Sequence, residues 1–519
     1  MALTVKEAIG RYSRPPWYKN RHLRMLYCLM VPGIVFVHTS VGFDSSLAGT
    51  AQLLDTWQKA MHNPVGGILG LLTASYSIGS IASLPFAPYV SNKFGRRYVV
   101  FMGAIVTLIG VVLQTASQNI GMYVAGRIVI GFGDGFSMSG SPVLLAELAH
   151  AGDRVKFNTL FSTFWNLGSV CNNWLSFIAS HKLATTSWQW RMPCFVQAFW
   201  TLCVVVAIFI LPESPRWLIS KGRDDEAWDF LVKYHADGDE DDEIIKAEYQ
   251  EISNWIREER KFNEGKSLFS VLSSTGNRRR IIILVSLGIF QQCIGSALIS
   301  TYLNSTLTTI GVTSSNIKTL ISSILSTWSW LVSIFATLNI ERFGRRTLFL
   351  SATFALWLCF IAWTAASGVY TERKSHDAAG AVIAFIVLYT TVFNLVWNPL
   401  PFMYSDEVMT FELRSKGASF YLAVQQSAVI FNSFVNAIGV QHLQWRFYIV
   451  YDCWLILVMI IIYVFFVETN GYSLEEIGIL FDAPGSKLYG KPVGTLPKDD
   501  ESFASVKDET VVDVYQKKQ

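Results

Sequence analysis

Apolar runs of about twenty residues, each long enough to cross a bilayer as a helix, alternate with short polar stretches along almost the whole chain. They give spans near residues 26–47, 66–91, 98–117, 121–148, 157–180 and 191–211, then 280–304, 317–340, 347–368, 381–405, 417–439 and 446–467. In lipid a helix pairs all of its own backbone groups, so helices are the expected form. The rhythm breaks once, in the polar segment 212–279. There an acidic run, DGDEDDE, precedes Ile245, Tyr249, Ile252 and Ile256 at helical spacing, which predicts an amphipathic linker helix. Residues 1–25 form a basic arm, and residues 468–519 are polar and expected to be disordered. The expected class is an all-α membrane protein of twelve spans in two halves, 26–211 and 280–467, joined by that linker.

Composition agrees with this pattern. Of 519 residues, 51% are hydrophobic and only 16% charged, against about 25% charged in soluble domains. The net charge of +3 says little, but its distribution says more. Lys6, Arg11, Arg14, Lys19, Arg21 and Arg24 precede the first span. Arginine and lysine also cluster after the second, fourth, eighth and tenth. By the positive-inside tendency both termini and the linker are cytosolic. The arm lacks the order of a cleaved signal peptide, so the first span is expected to remain. Seven cysteines lie mostly in apolar runs with no C-x-x-C pair, which points away from metal or redox chemistry. No cofactor, nucleic-acid partner or obligate protein partner is implied, and no nucleophile–base pair or phosphate loop suggests an enzyme.

The loops carry a repeat. NKFGRR (Asn92–Arg97) follows span two and ERFGRR (Glu341–Arg346) follows span eight. Glu147 and Arg154 stand seven residues apart after span four, as do Glu407 and Arg414 after span ten. PESPRWL follows span six, and VETNGYSL follows span twelve. Two similar halves with a site between them are the architecture of many transporters. The candidate cytosolic gate is therefore Gly95, Arg96, Arg97, Glu147, Arg154, Glu213 and Arg216 in one half. In the other it is Glu341, Gly344, Arg345, Arg346, Glu407, Arg414 and Glu468. Gly95 and Gly344 are expected to permit tight turns. The arginines and glutamates are expected to exchange charge-assisted bonds across helix ends, locking that side while the interior opens outward.

The order GFD, NKFGRR, GRIVIGFGDG, Glu147…Arg154, PESPRWL, QQCIG, ERFGRR, NPLPF with Glu407…Arg414, and VETNGYSLEE resembles the sugar porter family of the major facilitator superfamily. The likeness runs from about residue 26 to 480. The wording of LLAELAHAGDR, PESPRWLISKGR, KYHADGD and ELRSKGASF is similar to the fungal lactose permease and cellodextrin transporter branch. The resemblance implies a twelve-helix alternating-access carrier that moves a sugar, in this branch usually with a proton.

Asp44 closes the first apolar run, and an ionisable residue there is a functional hypothesis whose partner should be named. Span four offers Arg127. In the proton-coupled porters that the chain resembles, the matching aspartate and arginine form the coupling pair. A carboxyl rises in pKa on burial and falls beside a guanidinium, so moving the two apart would exchange a proton. The alternative is a helix-end carboxylate in interfacial water. Asp134 is a weaker candidate, and His38 reads as a packing histidine.

For a sugar, span seven offers Gln291, Gln292, Ser296, Tyr302 and Asn304, and span ten offers Trp397, Asn398 and Phe402 beside helix-breaking Pro399 and Pro401. Span eleven adds Gln425, Gln426 and Asn432, and span five adds Ser162 and Asn166. Interhelical polar bonding is the competing use of such residues. Compared with the hexose-porter pattern, Ser162, Ala297, Thr301 and Phe402 stand at altered positions, mostly with smaller side chains. That suits a roomier pocket. The expected function is a plasma-membrane proton–sugar symporter for lactose, cellobiose or related disaccharides. A proton-independent hexose facilitator and a non-transporting sugar sensor remain the alternatives.

Overall fold

The structure, a computed structural model, describes residues 17–150, 153–263, 275–409, 414–469 and 481. Lys6, Arg11 and Arg14, and the tail expected to be disordered apart from Glu468, Thr469 and the buried Phe481, lie outside the described residues, as do the side chains of Glu341 and Arg414. Twelve long helices follow the apolar runs. They are α1 (Arg21–Gln52), α2 (Gly66–Ser83), α3 (Arg96–Thr115), α4 (Ile120–Leu148), α5 (Arg154–Lys182) and α6 (Trp188–Ile210). The second half has α7 (Thr275–Cys293), α8 (Ser315–Asn339), α9 (Arg345–Arg373), α10 (His376–Val392), α11 (Arg414–Leu443) and α12 (Phe447–Phe465). Among the described residues, ten stretches are long and apolar enough to span alone; one of them, Phe420–Phe465, covers α12 and most of α11 together. The polar α5 is not among them, because its asparagines and serines face helices of both halves rather than lipid.

Breaks in the helices fall where the sequence demands them. Pro32 widens α1 into a π-turn at Val31–Val35. Gly295, at φ +102°, ends the main run of α7, after which Ser296–Ser300 and Leu303–Thr309 continue outward. In α10 a π-turn at Phe393–Trp397 precedes Pro399 and the segment Leu400–Val408.

Reciprocal small residues bring the functional helices together. A Cβ on Gly42 of α1 would lie 1.9 Å from the Trp165 carbonyl oxygen of α5, and one on Gly168 would lie 2.0 Å from that of Thr39. Gly79 of α2 and Gly131 of α4 meet backbone in the same way, at 2.0 and 1.9 Å. Such close backbone approach is the usual basis of helix packing in lipid. Here it draws α1 onto α5 and α2 onto α4.

The halves meet along α2 with α11 and α5 with α8. Hydrogen bonds run down the second seam as Ser180–Thr319, Asn173–Ser322, Trp174–Thr327 and Asn166–Ser333. At the face opposite the linker, the Ser315 hydroxyl donates to the Leu53 carbonyl, and Gly49 packs on the Ser300 carbonyl. The far face is therefore sealed between the halves.

The linker folds as expected. Its helix Glu243–Asn263 buries Ile245, Ile252 and Ile256, the last two against Trp217, Leu218 and Ala227. Beyond that apolar face, Glu248 is buried and accepts from Arg154 at 2.6 Å and His235 at 3.0 Å. This contact ties the linker to the start of α5.

Candidate functional site

Asp44 and Arg127 are both buried, at 1% and 3% exposure, within one cluster. The alternative of a helix-end carboxylate in water is thereby set aside. The two do not form a direct ion pair. The Arg127 guanidinium lies 5.8 Å from the centre of the Tyr76 ring, and its Nε has no hydrogen-bond partner among the described residues. The Asp44 carboxyl instead lies beside the Asp134 carboxyl. Asp134 accepts from the Tyr76 hydroxyl and the Thr107 hydroxyl, each at 3.0 Å. Ser40 donates to Asp44 Oδ2 at 3.5 Å, while Asp44 Oδ1 has no hydrogen-bond partner among the described residues. Two carboxyls and one guanidinium are neutral together only when one proton is present. A buried net charge is costly.

Asp134 is thus more central than its sequence position alone suggests. The available signal was spacing: seven residues from Arg127 is two helical turns, which places both on one face of α4. His38 behaves as a packing residue, its Nδ1 2.7 Å from the Phe161 carbonyl oxygen and its ring stacked on that phenyl.

At the linker face the repeat is reproduced in its main contacts. Glu213 accepts from the Arg96 and Arg97 backbone N–H groups at the start of α3, and Glu468 does so from Arg345 and Arg346 at the start of α9. Carboxylates suit these positive helix ends. Arg96 pairs with Glu147 at 3.5 Å, and Arg345 with Glu407 at 3.2 Å. Ser214 donates to Glu147 as Thr469 does to Glu407. Arg97 and Arg346 each donate to a carbonyl near the end of the sixth helix of their half, at Phe209 and Tyr463. Burial raises the Glu213 carboxyl above its usual range and lowers Arg216.

Two expectations change. Gly95 has φ +110°, as a tight turn requires, but Gly344 has an ordinary φ of −62°. Gly344 is needed because a Cβ there would fall 2.5 Å from Glu468 Oε2. Arg154 turns to Glu248 of the linker rather than to Glu147. Both clusters close within their own half, and none of these bonds joins one half to the other.

The polar residues expected at the sugar site divide into three groups. Gln291 takes bonds from Tyr421 and Gln425 and donates to the Trp397 carbonyl, so it organises α7, α10 and α11. Asn166, Ser333, Asn394 and Asn398 form one network between α5, α8 and α10. Gln426 reaches Ser80 across the halves at 3.5 Å. Gln292 and Ser296 are partly exposed, and no side-chain hydrogen bond joins either to another described residue. Phe402 is exposed and packs its ring against Tyr421, and Ser162 is also exposed.

The third group is engaged elsewhere. Trp397 is fully buried against Phe349 with its Nε1 on Thr353, so it offers no ring face. Tyr302 bonds the Ser433 carbonyl and Thr73, bridging α2 and α11. Asn432 is held by the Gln292 carbonyl and Tyr451. Asn304 sits near the far face, where its Oδ1 accepts from Lys318 at 2.7 Å.

Comparison with known proteins accords with this architecture. The family model described as "Sugar (and other) transporter" matches residues 31–481. The chain is 28% identical over 423 residues to Sugar transporter STL1 of Saccharomyces cerevisiae, covering 80% of this chain and 72% of that one. It is 26% identical over 417 residues to Sugar transport protein 13 of Arabidopsis thaliana, covering 79% and 76%. In fold it is similar to the xylose transporter XylE from E. coli in a partially occluded inward open conformation, with a TM-score of 0.72 at 20% identity over 87% of this chain and 99% of the other. With motifs, repeat and helix arrangement in agreement, the chain belongs to the sugar transporter family of the major facilitator superfamily.

Proposed function

We propose that the protein is a proton-coupled sugar symporter of the plasma membrane, with both termini and the linker in the cytosol, and that its substrate is a disaccharide such as lactose or cellobiose. The observation that carries the coupling is the buried cluster of Asp44, Asp134 and Arg127, neutral only with one proton. The motif wording of the fungal lactose and cellodextrin branch and the small side chains at Ser162 and Ala297 support the larger sugar. Gln292, Ser296, Asn398, Gln425, Gln426 and Phe402 remain the contacts proposed for it, with Gln291 holding them in place.

In this reading Asp44 is protonated from outside and sugar binds between the halves. The far-face seal at Gly49–Ser300 and Ser315–Leu53 then forms as the bundles tilt. The linker-face carboxylates exchange partners during that tilt, between pairs within a half and pairs across it. Arg127, unpaired in the present arrangement, re-approaches Asp44 and discharges its proton, because a nearby guanidinium favours the carboxylate.

The test is uptake of labelled lactose, cellobiose and glucose by a transporter-deficient cell, with and without a pH gradient. Uphill accumulation should follow the gradient and collapse with a protonophore. Asp44→Asn and Arg127→Ala should each abolish accumulation while leaving sugar exchange. Uptake indifferent to pH in the wild type would identify a facilitator instead, and absence of flux for every sugar would favour a sensor.

A further inference from the structure

The coupling centre contains a carboxyl that the aspartate–arginine pair does not account for. Given the proton-coupling reading, on which this role rests, we propose that Asp134 is a second proton-carrying residue, sharing one proton with Asp44.

The geometry divides the roles. Asp134 accepts from two hydroxyls, Tyr76 on Oδ2 and Thr107 on Oδ1, and these donors fix it as the carboxylate of the pair. Asp44 has an unpartnered buried Oδ1 and lies against Asp134, so it is the acid that donates across. The groups facing the pair are Ser40 from α1, Tyr76 from α2, Thr107 from α3, Arg127 from α4, and Thr201 and Cys194 from α6. Among these, Arg127 alone carries a permanent charge. Transfer breaks the O–H bond on Asp44, forms one on Asp134 and exchanges their charges, with no other reactant.

A separate feature supports a proton stop at this point. A cavity of about 10 Å³ adjoins Asp134, bounded by Ser40, Ser137, Thr107 and Thr201 as well as apolar Val37 and Val204. It is of the size of one water and offers it four hydroxyls. Asp134 thus faces Asp44 on one side and a hydroxyl-lined space between α1, α3, α4 and α6 on the other. A proton leaving Asp44 has a second carboxyl to occupy before Arg127 returns.

The experiment is infrared titration of the full chain in liposomes, following the carbonyl stretch of protonated carboxyls. It needs no knowledge of the sugar. The band lost in Asp44→Asn identifies Asp44. In Asp134→Asn, and in Asp134→Ser as a second variant that keeps a hydroxyl acceptor, the midpoint of that band should move to lower pH by about one unit or more. The cause is that a neighbouring negative charge no longer favours the protonated form. A midpoint unmoved in a folded variant overturns the proposal. If Asp44→Asn loses pH-driven uptake while that midpoint stays put, only the sharing fails. If Asp44→Asn retains pH-driven uptake, the coupling reading fails and takes the role of Asp134 with it.

Discussion

Replacing Glu248 by alanine removes the contact that fastens the linker to the membrane bundle. The carboxylate is 2% exposed, accepts from Arg154 Nη2 at 2.6 Å and pairs with His235 Nδ1 at 3.0 Å. The other ring nitrogen of His235 faces the Leu148 carbonyl at 3.2 Å, so both nitrogens meet acceptors. Burial by itself pushes the Glu248 carboxyl up. The His235 charge and hydrogen bond, with Arg154 and His150, outweigh that and hold it at about 2. Removing one member of a buried pair costs about 3–5 kcal/mol. At about 1.4 kcal/mol per decade, amide-exchange protection across the linker helix should fall by roughly two to four orders of magnitude. Lys246→Ala, which breaks an exposed pair with Asp241, should change protection by less than about tenfold. The pH dependence follows the sign of the shift. A carboxyl held below its usual value of 4.5 contributes fully above that value, and its contribution fades as pH falls toward about 2. Protection should therefore be flat from neutral to mildly acidic pH and decline below it. A Glu248→Ala protein whose linker exchanges no faster than Lys246→Ala would refute the clamp.

Gly49→Ala should disturb the far-face seal, since the new Cβ would lie 2.2 Å from the Ser300 carbonyl oxygen. Overpacking of about 1–3 kcal/mol should shift the population toward an outward-open form, read as faster maleimide labelling of a cysteine placed at buried Thr50; unchanged labelling would count against the seal. Glu213→Gln and Glu468→Gln should each destabilise by about 2 kcal/mol through lost charge-assisted bonds at a helix start, and denaturant unfolding should show similar values because the two sites repeat. Gln291→Ala should destabilise by about 1–3 kcal/mol by orphaning its buried partners. Gln292→Ala should leave unfolding nearly unchanged and raise the half-saturating sugar concentration.

The twelve spans, the two halves and the linker helix were legible in the chain, because hydrophobic length and helical spacing act locally. The pairing of motifs was legible as far as position. Glu213 with the arginines after α2, and Glu468 with those after α8, recur at matching places in each half, and the structure joins them by the same bonds. Which oxygen met which donor was not legible, nor was the departure of Arg154 to a glutamate on the linker. That partner is 94 residues away, and only the folding of the linker under α4 and α5 brings it near.

The interior shows the same division. Sequence by itself determined that Asp44 and Arg127 lie in apolar helices and must be accommodated, since lipid leaves no other option. Tertiary structure decided that Asp134 joins their cluster, that Trp397 fills the core of α9 and α10 rather than meeting a sugar, and that Tyr302 bridges the seam. A helix face is fixed by spacing along one chain segment. The neighbour it meets depends on backbones approaching within the reach of a missing Cβ, at Gly42, Gly79, Gly131 and Gly168, and that approach exists only once the bundle has closed.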